Sequence, residues 1–107
     1  MISLEDFKKI DLRVGQIKSV EPITGSDKLL KLMVDFGELG EKQILAGLAK
    51  NYSANDLMGQ KAVFVFNLEP KKLMDWESQG MILAAEGADG PVILKPAGDV
   101  MAGSIIK

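Results

Sequence analysis

The segment 67–81 holds the side chains of this chain that are best suited to contact a ligand. It reads Asn-Leu-Glu-Pro-Lys-Lys-Leu-Met-Asp-Trp-Glu-Ser-Gln-Gly-Met and connects two strand-like runs. Its adjacent lysines attract anions, its serine and glutamine can exchange hydrogen bonds, and its last methionine can pack on a flat apolar face. Binding groups tend to lie on loops held by a rigid scaffold. The candidates for ligand contact here are Asn67, Lys71, Lys72, Ser78, Gln79 and Met81.

The residue types that are absent exclude most catalytic chemistry. The chain has no cysteine and no histidine, so disulfides, the usual zinc sites and serine-histidine or cysteine-histidine catalysis are excluded. The acidic residues are scattered and show no calcium-loop spacing. We therefore expect no catalytic residue, no metal and no cofactor.

The charge of the chain is nearly balanced but unevenly distributed. There are 13 basic and 15 acidic residues in total. The stretch 28–72 holds seven lysines and five acids, whereas the stretch 73–107 holds two lysines and five acids. No apolar run approaches the roughly 18 residues of a membrane span, and the N-terminus does not resemble a signal peptide. We expect a cytoplasmic protein without a membrane partner, with a basic middle that folding could gather into a patch.

Alternating and apolar runs predict a domain built mainly of strands. The clearest run places Leu30, Leu32, Val34 and Phe36 on one face. Helix-capping patterns at 3–6 and 53–56 predict short helices, the first through Lys9 and the second ending near Gly59. A break in the alternation of the first strand predicts a bulge at Gly15. The predicted strands cover 11–23, 29–36, 42–46, 62–66, 81–86 and 91–95.

This order of elements favours an all-β OB-fold, a five-stranded Greek-key barrel, with an SH3-like barrel or a small sandwich as alternatives. The helix between the third and fourth strands favours the OB-fold. We expect one domain over 1–107, with an N-terminal helix in 1–10, a barrel in 11–87 and a C-terminal extension in 88–107. The apolar fraction of 47% predicts that this extension contributes to a dimer contact.

OB barrels bind oligonucleotides or oligosaccharides on strands two and three and on neighbouring loops. On that face Lys28, Lys31 and Lys42 would join Lys71 and Lys72 and could contact RNA phosphates. A solvated barrel surface explains the same lysines equally well. Asn67 could equally form a turn, and Met81 could equally belong to the core.

The aromatic residues argue against a platform that stacks several bases. Phe36, Phe64 and Phe66 occupy alternating strand positions typical of a core, which leaves Tyr52 and Trp76 as candidates for exposure. An RNA ligand would therefore be read through shape, phosphates and one or two splayed bases.

Four ordered motifs resemble the tRNA-binding domain family. This family includes the C-terminal domain of many methionyl-tRNA synthetases, free-standing bacterial tRNA-binding proteins and the endothelial-monocyte-activating-polypeptide-II-like domains. The resemblance runs from about Phe7 to the C-terminus. The motifs are Asp-Leu-Arg-Val-Gly-Gln-Ile at 11–17, Asp-Lys-Leu at 27–29, Asn-Leu-Glu-Pro-Lys-Lys-Leu at 67–73 and Glu-Ser-Gln-Gly-Met-Ile-Leu-Ala at 77–84.

The resemblance implies an OB-fold with added terminal elements that binds tRNA by overall shape, as a homodimer. Two places depart from the family pattern: 21–26 lacks the usual His-Pro pair, and Ala-Gly-Leu at 46–48 replaces a typical Ser-Gly-Ile, which removes a hydroxyl. The family's binding positions that match are Lys28, Asn67, Lys71, Ser78 and Met81.

The resemblance predicts a non-enzymatic role. We expect non-catalytic, shape-directed tRNA binding by a C-terminal domain or free-standing partner of methionyl-tRNA synthetase, whose catalytic region would be a further partner. The alternative is a protein-interaction or chaperone-like OB module that binds no RNA.

Overall fold

The computed structural model describes all residues, 1–107, as short strands with two single-turn helices. A 3₁₀ turn at Gly37–Leu39 is the remaining helical piece. In chain order the elements are α1 (Leu4–Phe7), β1 (Leu12–Pro22), β2 (Leu30–Asp35), β3 (Glu41–Ala46), α2 (Ala54–Leu57), β4 (Lys61–Val65), β5 (Lys71–Leu73), β6 (Trp76–Ser78), β7 (Met81–Ile82), β8 (Ala84–Gly87), β9 (Gly90–Ile93) and β10 (Ile105–Ile106).

The main sheet is antiparallel and has the order β3-β2-β1-β4-β7, with β10 paired to the start of β1. The long strand β1 pairs with β4 over residues 12–16 and with β2 over residues 16–22. One strand thus joins both halves of the sheet, which lets the sheet curl into a barrel. The order, with α2 between the third and fourth barrel strands, is that of the predicted OB-fold.

Alternation along β2 places its apolar side chains in the barrel interior, as predicted. Leu32, Val34 and Phe36 have no exposed surface, and the ring of Phe36 meets that of Phe64 edge-on at 5.4 Å. Phe36 also meets Phe66 edge-on at 5.0 Å. The prediction that these three phenylalanines pack in or against the core is confirmed.

The predicted bulge at Gly15 is wrong. Gly15 pairs in regular register with Ala62, and the register shift falls between Ile17 and Ser19. A Cβ on Gly15 would lie 2.5 Å from Val34 Cγ1 and 2.7 Å from Phe36 Cε1. Glycine is therefore required at this position because the core side chains occupy the space. The irregularity of β1 lies at Lys18, three residues later.

The C-terminal third differs from the predicted strands in two places. The predicted strand 81–86 is two strands: β7 pairs with β4, and β8 turns away to form a hairpin with β9. The connection 67–80, predicted as a loop, contains the hairpin β5–β6. The expected boundary between barrel and extension, after residue 87, falls at the turn of the β8–β9 hairpin.

The helix α2 has the predicted capping box. Asp56 accepts a hydrogen bond from the Ser53 backbone at 2.8 Å, and the Ser53 hydroxyl accepts one from the Asp56 N–H at 3.2 Å. The backbone bond, followed by the hydroxyl, holds the pKa of the Asp56 carboxyl below its ordinary value. This cap therefore contributes fully above the ordinary carboxyl pKa and is lost as pH falls through the lowered value. At the other capping pattern Ser3 caps α1, which is shorter than predicted. No helix of the chain is long and apolar enough to cross a membrane.

Candidate nucleic-acid interface

The hairpin β5–β6 lies against the outer face of the barrel at β3. Ile44 and Ala46 point into the core, so Leu45 between them must point outward. Leu45 is nevertheless only 7% exposed, and it lines a small cavity of about 200 Å³ with Lys71, Leu73 and Ser78 of the hairpin. The hairpin thus covers part of the face on which OB barrels bind their ligands.

Ser78 fastens this hairpin to the barrel. Its hydroxyl accepts a hydrogen bond from the Leu45 N–H at 3.0 Å and donates one to the Gly80 carbonyl at 3.0 Å. Ser78 is 6% exposed. The hydroxyl thus uses its donor and one of its two acceptor lone pairs inside the protein, which gives Ser78 a barrel-closing role. Its predicted contact with RNA stays a prediction.

Gln79 closes the barrel in the same manner. The Gln79 N–H donates to the Gln43 carbonyl, and the Gln79 side-chain oxygen accepts from the Gln43 N–H, both at 2.8 Å. The Gln43 side chain in turn donates to the Glu77 carbonyl at 2.9 Å. One backbone N–H and the Gln79 side chain thus satisfy the Gln43 backbone at the edge of β3, where a fifth strand would otherwise pair. Gln79 positions the hairpin, and its predicted RNA contact stays a prediction.

Replacing Ser78 by Ala is expected to lower the free energy of unfolding by about 1–3 kcal/mol, because the buried Leu45 N–H would lose its acceptor. Urea titration measures this loss, and hydrogen exchange at the Leu45 amide should speed up. The matched control is Ser104→Ala, whose hydroxyl donates to a Met101 carbonyl that water can solvate. An equal loss in both variants would contradict the closing role of Ser78.

The three lysines Lys28, Lys71 and Lys72 are exposed and have no carboxylate within ion-pair distance. The Lys28 side chain runs over Gly47, where a Cβ would lie 2.9 Å from its Cε. Gly47 follows β3 directly, and Lys71 pairs with Ser78 beside Leu45 of the same strand. Lys28 and Lys71 therefore flank one end of β3, while Lys72 lies on the opposite face of the hairpin from Lys71.

The other two predicted lysines are already engaged. The Lys31 ammonium lies 3.7 Å from the centre of the Trp76 ring and 3.7 Å from a Glu21 carboxylate oxygen. The Lys42 ammonium donates to the Phe66 carbonyl at 2.6 Å and lies 3.7 Å from the centre of the Phe66 ring. The structure therefore separates the five predicted lysines into three free cations and two with partners inside the protein.

The remaining two predicted residues occupy different surroundings. The Asn67 side chain accepts from the Asp11 N–H at 2.8 Å and donates to the Lys9 carbonyl at 2.7 Å, which is the backbone-satisfying alternative. Met81 is 44% exposed at the rim of the same cavity as Lys71, so it is not a core residue. Met81 is thus available to a ligand, whereas the Asn67 side chain is hydrogen-bonded to the backbone just before β1.

Sequence reasoning did not include Gln43, Leu45 or Trp76 among the candidate contacts. Gln43 and Leu45 became part of the site only because the hairpin folds onto β3. Trp76 is 40% exposed beside Lys31. The available signal for Trp76 was its position in a connection next to the binding face, since a core tryptophan would more often lie within a strand run.

Fold and site together define a class: a small OB barrel whose ligand-binding face carries unpaired lysines, a half-exposed tryptophan and no catalytic constellation. The family model described as "Putative tRNA binding domain" matches residues 12–105. The chain belongs to this family, as its motifs indicated.

The chain is similar in sequence to curated methionine--tRNA ligases. The chain is 49% identical to "Methionine--tRNA ligase" of Methanothrix thermoacetophila over 107 residues, which is 100% of this chain and 16% of the relative. It is 46% identical to the enzyme of that name from Helicobacter pylori over 98% of this chain and 16% of the relative. The chain thus spans about a sixth of the length of these curated relatives.

Two solved structures match this chain over nearly their full length. A "MetRS related protein" from Pyrococcus horikoshii superposes with a TM-score of 0.92 and 37% identity, covering 100% of this chain and 98% of that protein. The "chaperone CsaA" of Bacillus anthracis superposes with a TM-score of 0.89 and 35% identity, covering 100% of this chain and 99% of that protein. Both of these solved chains thus consist almost entirely of this one barrel.

Proposed function

We propose that this chain binds folded tRNA without catalysing a reaction and serves methionyl-tRNA synthetase, either as its accessory domain or as its partner. The observation that carries the proposal is a group of three unpaired lysines: Lys28 and Lys71 flank one end of β3, and Lys72 lies on the other face of the β5–β6 hairpin. Membership of a tRNA-binding family and the synthetase names of the relatives support it. Cytoplasmic localisation, where tRNA is charged, forms part of the proposal.

Shape rather than sequence is the proposed basis of recognition. Free lysines on a curved surface contact the phosphate backbone, and phosphate contacts position a ligand without reading its sequence. The exposed aromatic residues are too few for a series of stacked bases. A rigid, folded RNA presents its phosphates at fixed separations, which a preformed set of lysines can match with little loss of conformational entropy.

The test compares two RNAs of equal length and composition, a folded tRNA and a scrambled, unstructured strand, by electrophoretic mobility shift at low salt. Preferential binding of the folded tRNA is expected. Equal affinity for both RNAs would mean that charge alone, and not shape, determines binding. If neither RNA binds, the proposal is rejected. Aminoacylation by the associated synthetase, with and without this chain, then reports whether tRNA is delivered to the catalytic region.

We further propose that the chain forms a homodimer through apolar surface beside the start of β1. None of the residues of α1 is buried, and Leu4 is 67% exposed. On the neighbouring C-terminal segment Met101 is 80% and Ile105 is 56% exposed, and Arg13 of β1 pairs with Ile105. Exposed apolar surface at both chain ends, beside one strand, fits a self-complementary contact. Two copies of the lysine group on one dimer would strengthen tRNA binding by avidity.

The double variant Met101→Glu/Ile105→Lys is expected to weaken dimerisation about tenfold or more, because charges would replace apolar contacts at no change in net charge. Sedimentation equilibrium measures the effect. The control Val92→Glu/Leu94→Lys makes the same change at positions that are 52% and 41% exposed elsewhere on the molecule. If the first double variant dimerises as tightly as the control, this surface is not the dimer contact.

A protein-binding function is the second candidate. The structural similarity to a protein titled a chaperone favours it, together with the exposed apolar surface at the chain ends. Two results together would indicate this function: the chain would not bind tRNA in the mobility-shift experiment, and it would bind a protein partner with an affinity that does not depend on salt. Apolar contacts, unlike phosphate contacts, release no counterions.

A further inference from the structure

The tip of the β5–β6 hairpin forms a second feature of the binding face, distinct from the free lysines. Trp76 lies there, 40% exposed, and lines a cavity of about 500 Å³ with Lys31, Glu21 and Asp75. The cavity lies between the hairpin and the loop that follows β1. Its remaining lining residues are Pro22, Ile23, Thr24 and Met74.

The indole of Trp76 packs against the Lys31 ammonium. The Lys31 ammonium lies 3.7 Å from its ring centre, and Trp76 pairs across the hairpin with Leu73. The Lys31 side chain is 19% exposed, so its cation–π contact is partly shielded from water. A large, oriented ring that remains two-fifths exposed next to free lysines is suited to stack on a flat ligand.

The charges of the cavity argue against a phosphate and favour a base. Its single cation, Lys31, faces the carboxylate of Glu21 at 3.7 Å, and the second carboxylate, Asp75, has no cation within ion-pair distance. A phosphate would meet an excess of negative charge here. Carboxylates instead accept hydrogen bonds from the amino groups of bases. The unpaired Lys71 and Lys72 precede this tip on the same hairpin and could hold the adjoining phosphates.

From this arrangement we infer that the Trp76 cavity takes one unpaired base of the bound RNA, which stacks on the indole and turns its amino-bearing edge toward Asp75 and Glu21. The inference rests on the proposed function, since it names the contact that adds to the lysine–phosphate attraction. It adds Trp76, which the sequence offered only as a candidate for exposure, to the candidate binding site. A base docked here would have to leave its stack, so single-stranded loops and ends of tRNA are the source.

Trp76 is the only tryptophan of the chain, so its fluorescence reports directly on this cavity. Titration with folded tRNA, excited where tyrosine does not absorb, is expected to quench the emission and to saturate together with the mobility shift. Inorganic polyphosphate supplies phosphates without bases and is expected to leave the emission unquenched. Binding of tRNA without quenching, or equal quenching by polyphosphate, would overturn the inference and leave the proposed function standing. Absence of any tRNA binding would overturn both.

A pair of variants gives an independent measurement. Trp76→Leu is expected to weaken tRNA binding about tenfold with an unchanged salt dependence, because a stacked base is lost and no phosphate contact is removed. Trp76→Tyr keeps an aromatic face and should retain most of the affinity. Full affinity in Trp76→Leu would overturn the stacking role, and equal losses in both variants would indicate a structural role of the indole.

Discussion

Replacing Phe36 by Ala is expected to lower the free energy of unfolding by about 3–5 kcal/mol, the range for removing a buried aromatic side chain. Phe36 has no exposed surface and meets two further rings, Phe64 and Phe66, edge-on at 5.4 and 5.0 Å. Gly15 lies directly beneath the ring and has no side chain that could relax into the space. The cavity should therefore stay open, which places the loss toward the upper end of the range.

Urea titration of Phe36→Ala against Met58→Ala gives the matched comparison, because Met58 is a large apolar residue that is 48% exposed. The exposed substitution should cost no more than about 0.5 kcal/mol. Domains of this kind have about 5–15 kcal/mol of stability, so Phe36→Leu provides a graded variant in case the alanine protein is largely unfolded. Comparable losses for Phe36→Ala and Met58→Ala would contradict the central position of Phe36.

The barrel could be predicted from the sequence because its signals are local. Alternation along β2 fixes which side chains point inward, and the Ser53–Asp56 cap specifies α2 within four residues. The position of that helix between two strand runs then selected the OB-fold among small barrels. Each of these features depends on neighbouring residues along the chain, so none required knowledge of distant contacts.

The β5–β6 hairpin could not be predicted because its turn lacks the usual residues. Two-residue hairpin turns of this class need positive φ at both central positions and favour Asn-Gly or Asp-Gly. Here Met74 and Asp75 take φ values of 49° and 71°, although neither is glycine. Hydrogen bonds that the Ser78 and Gln79 side chains accept from N–H groups of β3 support the hairpin from outside. Tertiary contacts thus impose a turn that local preference does not favour.

The contacts that each candidate side chain makes could not be predicted from the sequence. A polar side chain looks the same in sequence whether it faces a ligand or a backbone group of its own fold. Ser78 and Gln79 satisfy the edge of β3, Lys31 lies on Trp76, and only the distant strand pairing determines these outcomes. The lysines that stay free do so because no carboxylate happens to lie near them, which spacing along the chain does not encode.

The triple variant Lys28→Ala/Lys71→Ala/Lys72→Ala is expected to weaken tRNA binding about tenfold or more. Each lost phosphate contact should also make the log-log dependence of affinity on salt shallower by about 0.7–0.9. These three cations have no internal partner, so their removal costs the fold little and subtracts directly from the attraction to phosphate. Fluorescence anisotropy with labelled tRNA over a range of salt concentrations measures both the affinity and the slope.

The triple variant Lys9→Ala/Lys50→Ala/Lys61→Ala removes the same charge from lysines that already face Asp6, Asp27 and Asp99 at 3.4, 4.0 and 3.1 Å. Its net charge equals that of the first variant, so any effect of overall charge is identical in the two proteins. If the positions of Lys28, Lys71 and Lys72 decide binding, only their triple variant binds tRNA more weakly and shows a shallower dependence of affinity on salt. If both lose them equally, overall charge is the cause, and the lysines around β3 have no special part in holding tRNA.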